Sequence, residues 1–435
     1  MIKNYCFLLL ILLSARQTKA QTLYFPPLSQ AASWDTLSPL SLGWCPDKID
    51  SLYQFLQQEN SKGFMVLKDG KIVLEKYFGT FTQDSVWYWA SAGKTITSFL
   101  VGKAQEEGYL DIQHPTALYL GNGWTSCTGS QENVITVQHQ LTMTTGLDDG
   151  VPDNDCTLDT CLIYKAMPSY RWAYHNAPYT LLEQVVENTT NTSYNNYTQL
   201  KLKDKTGMTG SWVTVDFNTI FFSKMRSMAR YGLLAQNKFI WNQDTLLSDT
   251  SYRYAMTHMS QNLNRSYGYL WWLNGQSSYM LPSSQAVFPG SLAPDAPQDM
   301  FAALGKNGQM ICISPAKGLV MVRIGEAPSS PVSDVPNVFC NQIWQKLNAA
   351  ICAPNSINSF NNINPTLYPN PSADVIDMND ATIPIQRIEI YDMQGRRVLS
   401  QATTFPISIQ SLPKGVYSVH VSIHDKIHCM KFVKN

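Results

Sequence analysis

The chain has 435 residues, with 32 Lys and Arg against 32 Asp and Glu, and 44% of its residues are apolar. That length suits one large domain plus a small one, with enough apolar sequence for a substantial core. The balanced charge excludes the basic excess of a nucleic-acid-binding surface.

Residues 1–20 carry Lys3, Arg16 and Lys19 with no acid, an apolar run from Phe7 to Leu13, and a small residue, Ala20, after Thr18-Lys19. This is the pattern of an export signal peptide, and its apolar run is too short to span a bilayer. No later stretch reaches the roughly 18 consecutive apolar residues of a spanning helix. A secreted, soluble mature chain is therefore expected. Of the nine cysteines, Cys6 leaves with the signal. An exported chain can keep disulfides: Cys156–Cys161 can close a small loop and Cys340–Cys352 another, although spacing alone leaves the connectivity open. No CxxC pair and no HExxH occurs, and the seven histidines are scattered. Neither a metal nor an organic cofactor is expected.

From Gly63, GFMVLKDGKIVLEKYFG predicts a β-hairpin, with β-prone runs flanking the Asp69-Gly70 turn signal. Apolar residues at Ile96, Phe99, Leu100 and Ala104 predict a helix from Ser91 to Glu107, stopped by Gly108. Helices are also predicted over 177–187 and 224–236, and strands over 309–313 and 319–324 around a Lys317-Gly318 turn. Strands at both ends with helices between them predict an α+β fold whose sheet is closed by N- and C-terminal hairpins. Composition shifts near residue 353. Residues 353–367 are rich in Asn, Pro and Ser and read as a linker. From Tyr368 to Asn435, short alternating runs separated by turns predict a small all-β domain.

Three Ser-x-x-Lys matches occur: Ser91-Lys94, Ser314-Lys317 and Ser411-Lys414. The last two enclose a proline and precede a glycine, which places them in turns. Only Ser91-Ala92-Gly93-Lys94 opens a helix, where residues three apart share a face. Serine needs an adjacent base to act as a nucleophile, and a desolvated lysine can be that base. The helix N-terminus favours negative charge developing there. Trp87, Tyr88 and Trp89 read as packing that seats this helix and desolvates Lys94. GNG at Gly121–Gly123 has no strand–GxGxxG–helix context, so it is no dinucleotide fingerprint.

The stretch from Trp89 to Leu120, with Glu107-Gly108-Tyr109-Leu110-Asp111-Ile112 and Pro115, resembles the nucleophile helix of the serine β-lactamase and penicillin-binding-protein superfamily. It most resembles the class C β-lactamase-related branch. Ile135 to Asp149 resembles the branch's Ile-Thr-Val segment, departing from it at Gln138, Met143 and Thr145. The resemblance covers about residues 45 to 350 and implies a β-lactamase-like fold: an antiparallel sheet flanked by helices, plus a mainly helical subdomain. It also implies a serine hydrolase that passes through an acyl-enzyme. Ser91 is then the nucleophile and Lys94 the base.

The family's Tyr-x-Asn has three literal matches. Tyr368-Pro369-Asn370 lies in the linker and tail, and Tyr194-Asn195-Asn196 reads as part of a solvated helix. Tyr174-His175-Asn176 continues into Ala177-Pro178-Tyr179-Thr180-Leu181-Leu182, as the family pattern does. Tyr174 is therefore the implied acid–base partner of Lys94, and Asn176 the residue that orients Lys94 and binds a substrate amide. The literal Lys205-Thr206-Gly207 resembles a different family segment and ends a polar helix. Lys306-Asn307-Gly308, followed by a strand, better matches the third motif. The Gly305 and Gly308 pair permits close backbone approach. The resemblance implies that Lys306 binds a substrate carboxylate, that Gly308 belongs to the motif, and that the N–H groups of Gln309 and Ser91 form the oxyanion hole. Asn307 departs from the family's usual hydroxyl residue, which weighs against true β-lactam recognition. Trp271 and Trp272 read as core and cleft wall.

The tail's Tyr368-Pro369-Asn370-Pro371-Ser372, its Ile388–Arg396 run and Leu412–Tyr417 resemble a type IX secretion C-terminal sorting domain. That implies a secretion-machinery partner and an extracellular or cell-surface destination. A carbohydrate-binding sandwich is the competing reading, but the tail has no Trp to form a binding platform. For the main domain, an ester, β-lactam, D-amino-acid peptide or small linear amide substrate all fit the motifs. The competing function is a non-catalytic, penicillin-binding-like surface receptor. Specificity resides in loops such as Gly150–Tyr170 and Ser277–Asp299. The sequence leaves the oligomeric state open.

Overall fold

The computed structural model describes residues 23–329, 335–352, 366–378, 385, 387–401, 404–423 and 426–435. The signal peptide and most of the linker expected from the sequence lie outside these residues. The chain divides into two compact units, Met1–Ala353 and Pro354–Asn435.

The first unit is built on a six-stranded antiparallel sheet. Its strand order is Lys71–Tyr77, Ser61–Lys68, Leu319–Gly325, Gln309–Ser314, Phe301–Gly305 and Trp272–Leu273. The N-terminal hairpin turns at Asp69 and Gly70, both at positive φ (49° and 85°), as a tight two-residue hairpin requires. Every residue of Gln309–Ser314 and Leu319–Gly325 is buried, so both sheet faces are covered. Val320 faces the Met225–Gln236 helix, where a Cβ on Gly232 would lie 2.5 Å from its Cγ1. Arg323, three residues on and so on the opposite face, lies under Phe339 of the Asn337–Ile351 helix, 5.0 Å from its ring centre.

Asn337–Ile351 packs against Pro46–Gln58, and Cys45 is disulfide-bonded to Cys352 beside them. This corrects the Cys340–Cys352 pairing suggested by sequence. Cys340 sits in the helix's first turns and points into the core, whereas Cys352 ends the helix where Cys45 begins the other one. Nearness in sequence along one helix gave no contact. Cys156 and Cys161 are bonded to each other.

The predicted 177–187 helix is two, Asn176–Thr180 and Leu182–Thr190. Tyr194, expected on a solvated helix, is buried at 2% exposure and donates to Thr97 Oγ1 at 2.8 Å. Its apolar ring turns inward against Trp212 despite polar neighbours in sequence.

The second unit is all-β. One sheet runs Arg397–Gln401, Arg387–Tyr391, Gly415–Ile423, Lys426–Lys434, and another Leu367–Tyr368, Val375–Met378, Ile407–Ser408. Its core includes Ile376, Ile388, Ile390, Ile407, Val419, Val421 and Phe432. Among the described residues, no helix is long and apolar enough to cross a membrane.

Candidate active site

The strand Val86–Tyr88 pairs with Asn218–Lys224 and delivers the chain to a 3₁₀ turn, Ala90–Gly93, which runs into the helix Lys94–Glu106. Trp89 anchors the entry. It is fully buried, its backbone N–H donates to Phe221 O at 2.8 Å, and its indole N–H donates to Ser223 Oγ at 2.7 Å. Ala90 then takes a positive φ of 48°, a strained conformation for a residue with a Cβ, directly before Ser91.

Lys94 Nζ donates to Ser91 Oγ at 3.2 Å. Lys94 is 4% exposed, and burial pulls its ammonium down to about 7, with the charge of Asp155 opposing that shift. The desolvating groups differ from those expected. Trp89 packs on Phe221 and Tyr231, while the amine lies 4.1 Å from the ring centre of Tyr179 and 5.3 Å from that of Tyr174. Tyr179 is the residue that sequence reasoning missed in this role. It stands in the Ala177–Leu182 stretch that singled out Tyr174, so the signal was present. Tyr174 in turn stacks on Trp272, 5.8 Å between ring centres. Trp271 and Trp272 are both core residues.

Ser91, Lys94, Tyr174, Asn176, Tyr179 and Lys306 line one cavity of about 500 Å³. Its other wall holds Asp149, Asn154, Asp155 and the 282–283 loop. That wall is tied down from several sides. Asn176 N–H donates to Asn154 Oδ1 at 2.9 Å, Asn154 Nδ2 donates to Asp149 O at 3.0 Å, and Asp149 pairs with Arg171. The Cys156–Cys161 bond closes the adjoining loop. Gln285 Nε2 donates to Trp172 O at 3.0 Å and so fastens the Ser277–Asp299 loop to the Tyr174 side. His175, between the two site residues, is buried, and burial lowers it to about 4, so it is neutral at physiological pH.

The third-motif residues separate. Lys306 lines the cavity, but Gly308 and Gln309 do not. A Cβ on Gly308 would meet Arg323 and Phe339, on the side of the C-terminal helix. Gln309 is fully buried and clamps Gly325, donating through Nε2 to its carbonyl at 2.6 Å and accepting its N–H at 3.0 Å. The close-approach glycine is Gly305, where a Cβ would lie 2.5 Å from Trp89 O, 2.9 Å from Ala92 N and 3.1 Å from Ser91 N. The strand therefore abuts the Ala90–Gly93 turn at its last residue, before the hairpin bends away. Asn307, at φ 63°, braces that bend: its Nδ2 donates to Tyr88 Oη at 2.7 Å, and its carbonyl accepts from Arg323 at 2.6 Å.

A larger cavity of about 750 Å³, lined by Phe239, Arg253, Tyr254, His258 and Phe301 among others, contains none of these groups. Lys205-Thr206-Gly207 lies elsewhere, with Gly207 at φ 68° ending its helix. Among the described residues, no group of three or more His, Cys, Asp or Glu could hold a metal ion.

No curated protein matches the chain. Among solved structures, a Bacillus anthracis protein assigned as a 6-aminohexanoate-dimer hydrolase superposes with a TM-score of 0.56 at 18% identity, over 75% of this chain and 90% of that one. A penicillin-binding-protein homologue from Caulobacter crescentus superposes with a TM-score of 0.53 at 12% identity, over 71% of this chain and 99% of that one. At such identities the likeness shows the fold, which is β-lactamase-like as the motifs led one to expect. Residues 366–435 match the secretion system C-terminal sorting domain, a type IX signal that directs export to the cell surface or beyond. Residues 54–335 match the Beta-lactamase family model, and the chain belongs to that family.

Proposed function

We propose that the protein is a secreted serine hydrolase that cleaves an ester or amide through an acyl-enzyme on Ser91. The observation that carries this reading is the buried Lys94 amine, 3.2 Å from Ser91 Oγ at a cavity wall. Neutral Lys94 takes the Ser91 proton as Oγ attacks the substrate carbonyl. The carbonyl π electrons move onto oxygen, which the N–H groups of Ser91 and Lys306 receive. Lys306 replaces Gln309 in this role because it directly follows Gly305, the residue in contact with the nucleophile turn. Tyr174 delivers a proton to the leaving nitrogen or oxygen as the intermediate collapses. Water then attacks the acyl-enzyme, with the same groups working in reverse. Asn176 holds the acyl amide or ester oxygen, and the exposed Lys306 side chain meets a substrate carboxylate.

Within this class we favour a small linear amide or a D-amino-acid peptide carrying a free amine. Asp155 lines the cavity, and its charge acts on the Lys94 amine. A substrate ammonium group in the cavity can pair with that carboxylate. A fluorophosphonate probe tests the mechanism: it labels wild type at Ser91 and leaves Ser91→Ala unlabelled. An unlabelled wild type, or equal labelling of both, overturns the acyl-enzyme and favours a receptor that kept the scaffold. A panel of p-nitrophenyl esters, nitrocefin, D-alanyl peptides and amino-terminated linear amides ranks the substrates.

A further inference from the structure

Two cysteines that belong to neither disulfide meet beneath the hairpin carrying Lys306. Cys312 lies in the middle of the Gln309–Ser314 strand and Cys340 in the Asn337–Ile351 helix. Both are fully buried, and their sulfurs are 3.5 Å apart. A bond requires an approach to about 2.0 Å, a closure of about 1.5 Å that small side-chain rotations can supply. The sorting domain sends this chain to an oxidising compartment, where paired thiols do not stay reduced.

We infer that Cys312 and Cys340 are joined in the exported protein by a third disulfide, linking the central sheet to the C-terminal helix. The inference rests on export and on the contact, not on the proposed hydrolase activity. The oxidant is a protein disulfide of the cell envelope, or glutathione disulfide in vitro. One cysteine thiolate attacks it, forming a mixed disulfide and expelling one thiolate. The second cysteine attacks that mixed disulfide and expels the other. Two electrons and two protons pass from the cysteines to the oxidant, which leaves as two thiols. Burial raises the Cys312 thiol well above its usual range, so little thiolate exists once the core has closed. The bond therefore forms during folding and resists exchange afterwards.

Its position gives it a consequence at the site. Phe339, next to Cys340, packs over Arg323 and under Gly308, and Arg323 holds the Asn307 carbonyl of the bend. The bond anchors the first turns of this helix, as Cys45–Cys352 anchors its end. The hairpin beside Ser91 is then clamped from below.

Peptide mapping of the chain from Gln21 onward, produced in an oxidising compartment and alkylated under denaturing conditions, tests this. Four cysteines lie outside the two disulfides, Cys127, Cys312, Cys340 and Cys429, and only Cys127 and Cys429 are expected to alkylate. A linked Cys312–Cys340 peptide is the supporting result. Recovery of either residue alkylated in most of the protein, or linked elsewhere, overturns it. Cys312→Ala adds one reactive thiol per chain if the pair is bonded, and removes one if Cys312 is free. That count is made in denaturant and so does not depend on the variant folding.

Discussion

Two serines in the main unit are each followed three residues later by a lysine, and their surroundings diverge. At Ser91 the lysine is 4% exposed, its amine lies against Tyr179, and its donor reaches the serine oxygen. At Ser314 the hydroxyl donates instead to Asp299 Oδ1 at 2.7 Å, and Lys317 stands in solvent beyond Pro315. Spacing can bring two groups into range only on a helical face, and burial then decides where the proton resides. The first pair has the geometry proposed for a nucleophile with its base, and the second sits in a turn.

The sharpest break of this contrast is Ser91→Ala. It lowers kcat/KM by about 10⁴-fold or more on whichever substrate the panel identifies, while Ser314→Ala leaves it unchanged. Equal losses would erase the distinction. Next comes Lys94→Met, which lowers kcat by about 10²- to 10⁴-fold as the general base is lost. The same lysine sets the pH profile. Its folded value is depressed to about 7, and it accepts a proton only when neutral, so wild-type kcat/KM rises as pH increases through about 7. A flat wild-type profile across that range would place the base elsewhere. Gly305→Ala forces a Cβ onto the Trp89 carbonyl and the Ser91 amide, and lowers kcat by about 10²- to 10³-fold with a smaller change in KM. Gly308→Ala, which meets Arg323 and Phe339 instead, changes stability more than kcat. The smallest effect is on the other serine. Ser314→Ala removes a buried hydrogen bond and lowers unfolding stability by about 1 kcal/mol in urea melts.

Much of the architecture was legible because it follows from local pattern. The Asp69-Gly70 hairpin, the helix after Ser91, the 225–236 helix and the last two strands of the main sheet depend on turn chemistry and apolar period, which are local properties. The misplacements arose where distant residues decided. Nearness in sequence suggests Cys340 for Cys352, yet Cys352 bonds Cys45, 307 residues away, because two helices pack together. Tyr194 was read from its polar neighbours, and its ring is buried against Trp212. Of the Gly305 and Gly308 pair expected to allow close approach, Gly305 meets the Ser91 turn, whereas Gly308 faces Arg323 and Phe339.

Local pattern along the chain specifies most element types, the unit that carries the tail, and which Ser-x-x-Lys opens a helix. Proline, glycine and apolar spacing act within a few residues and leave little choice. The surroundings of the Lys94 amine are set by packing between distant segments. Tyr174 and Tyr179 come from a segment 80 or more residues on, and Asp155 from another loop. A proton's affinity depends on the groups and water within a few ångströms, and the packed core selects those neighbours, whatever their distance along the chain.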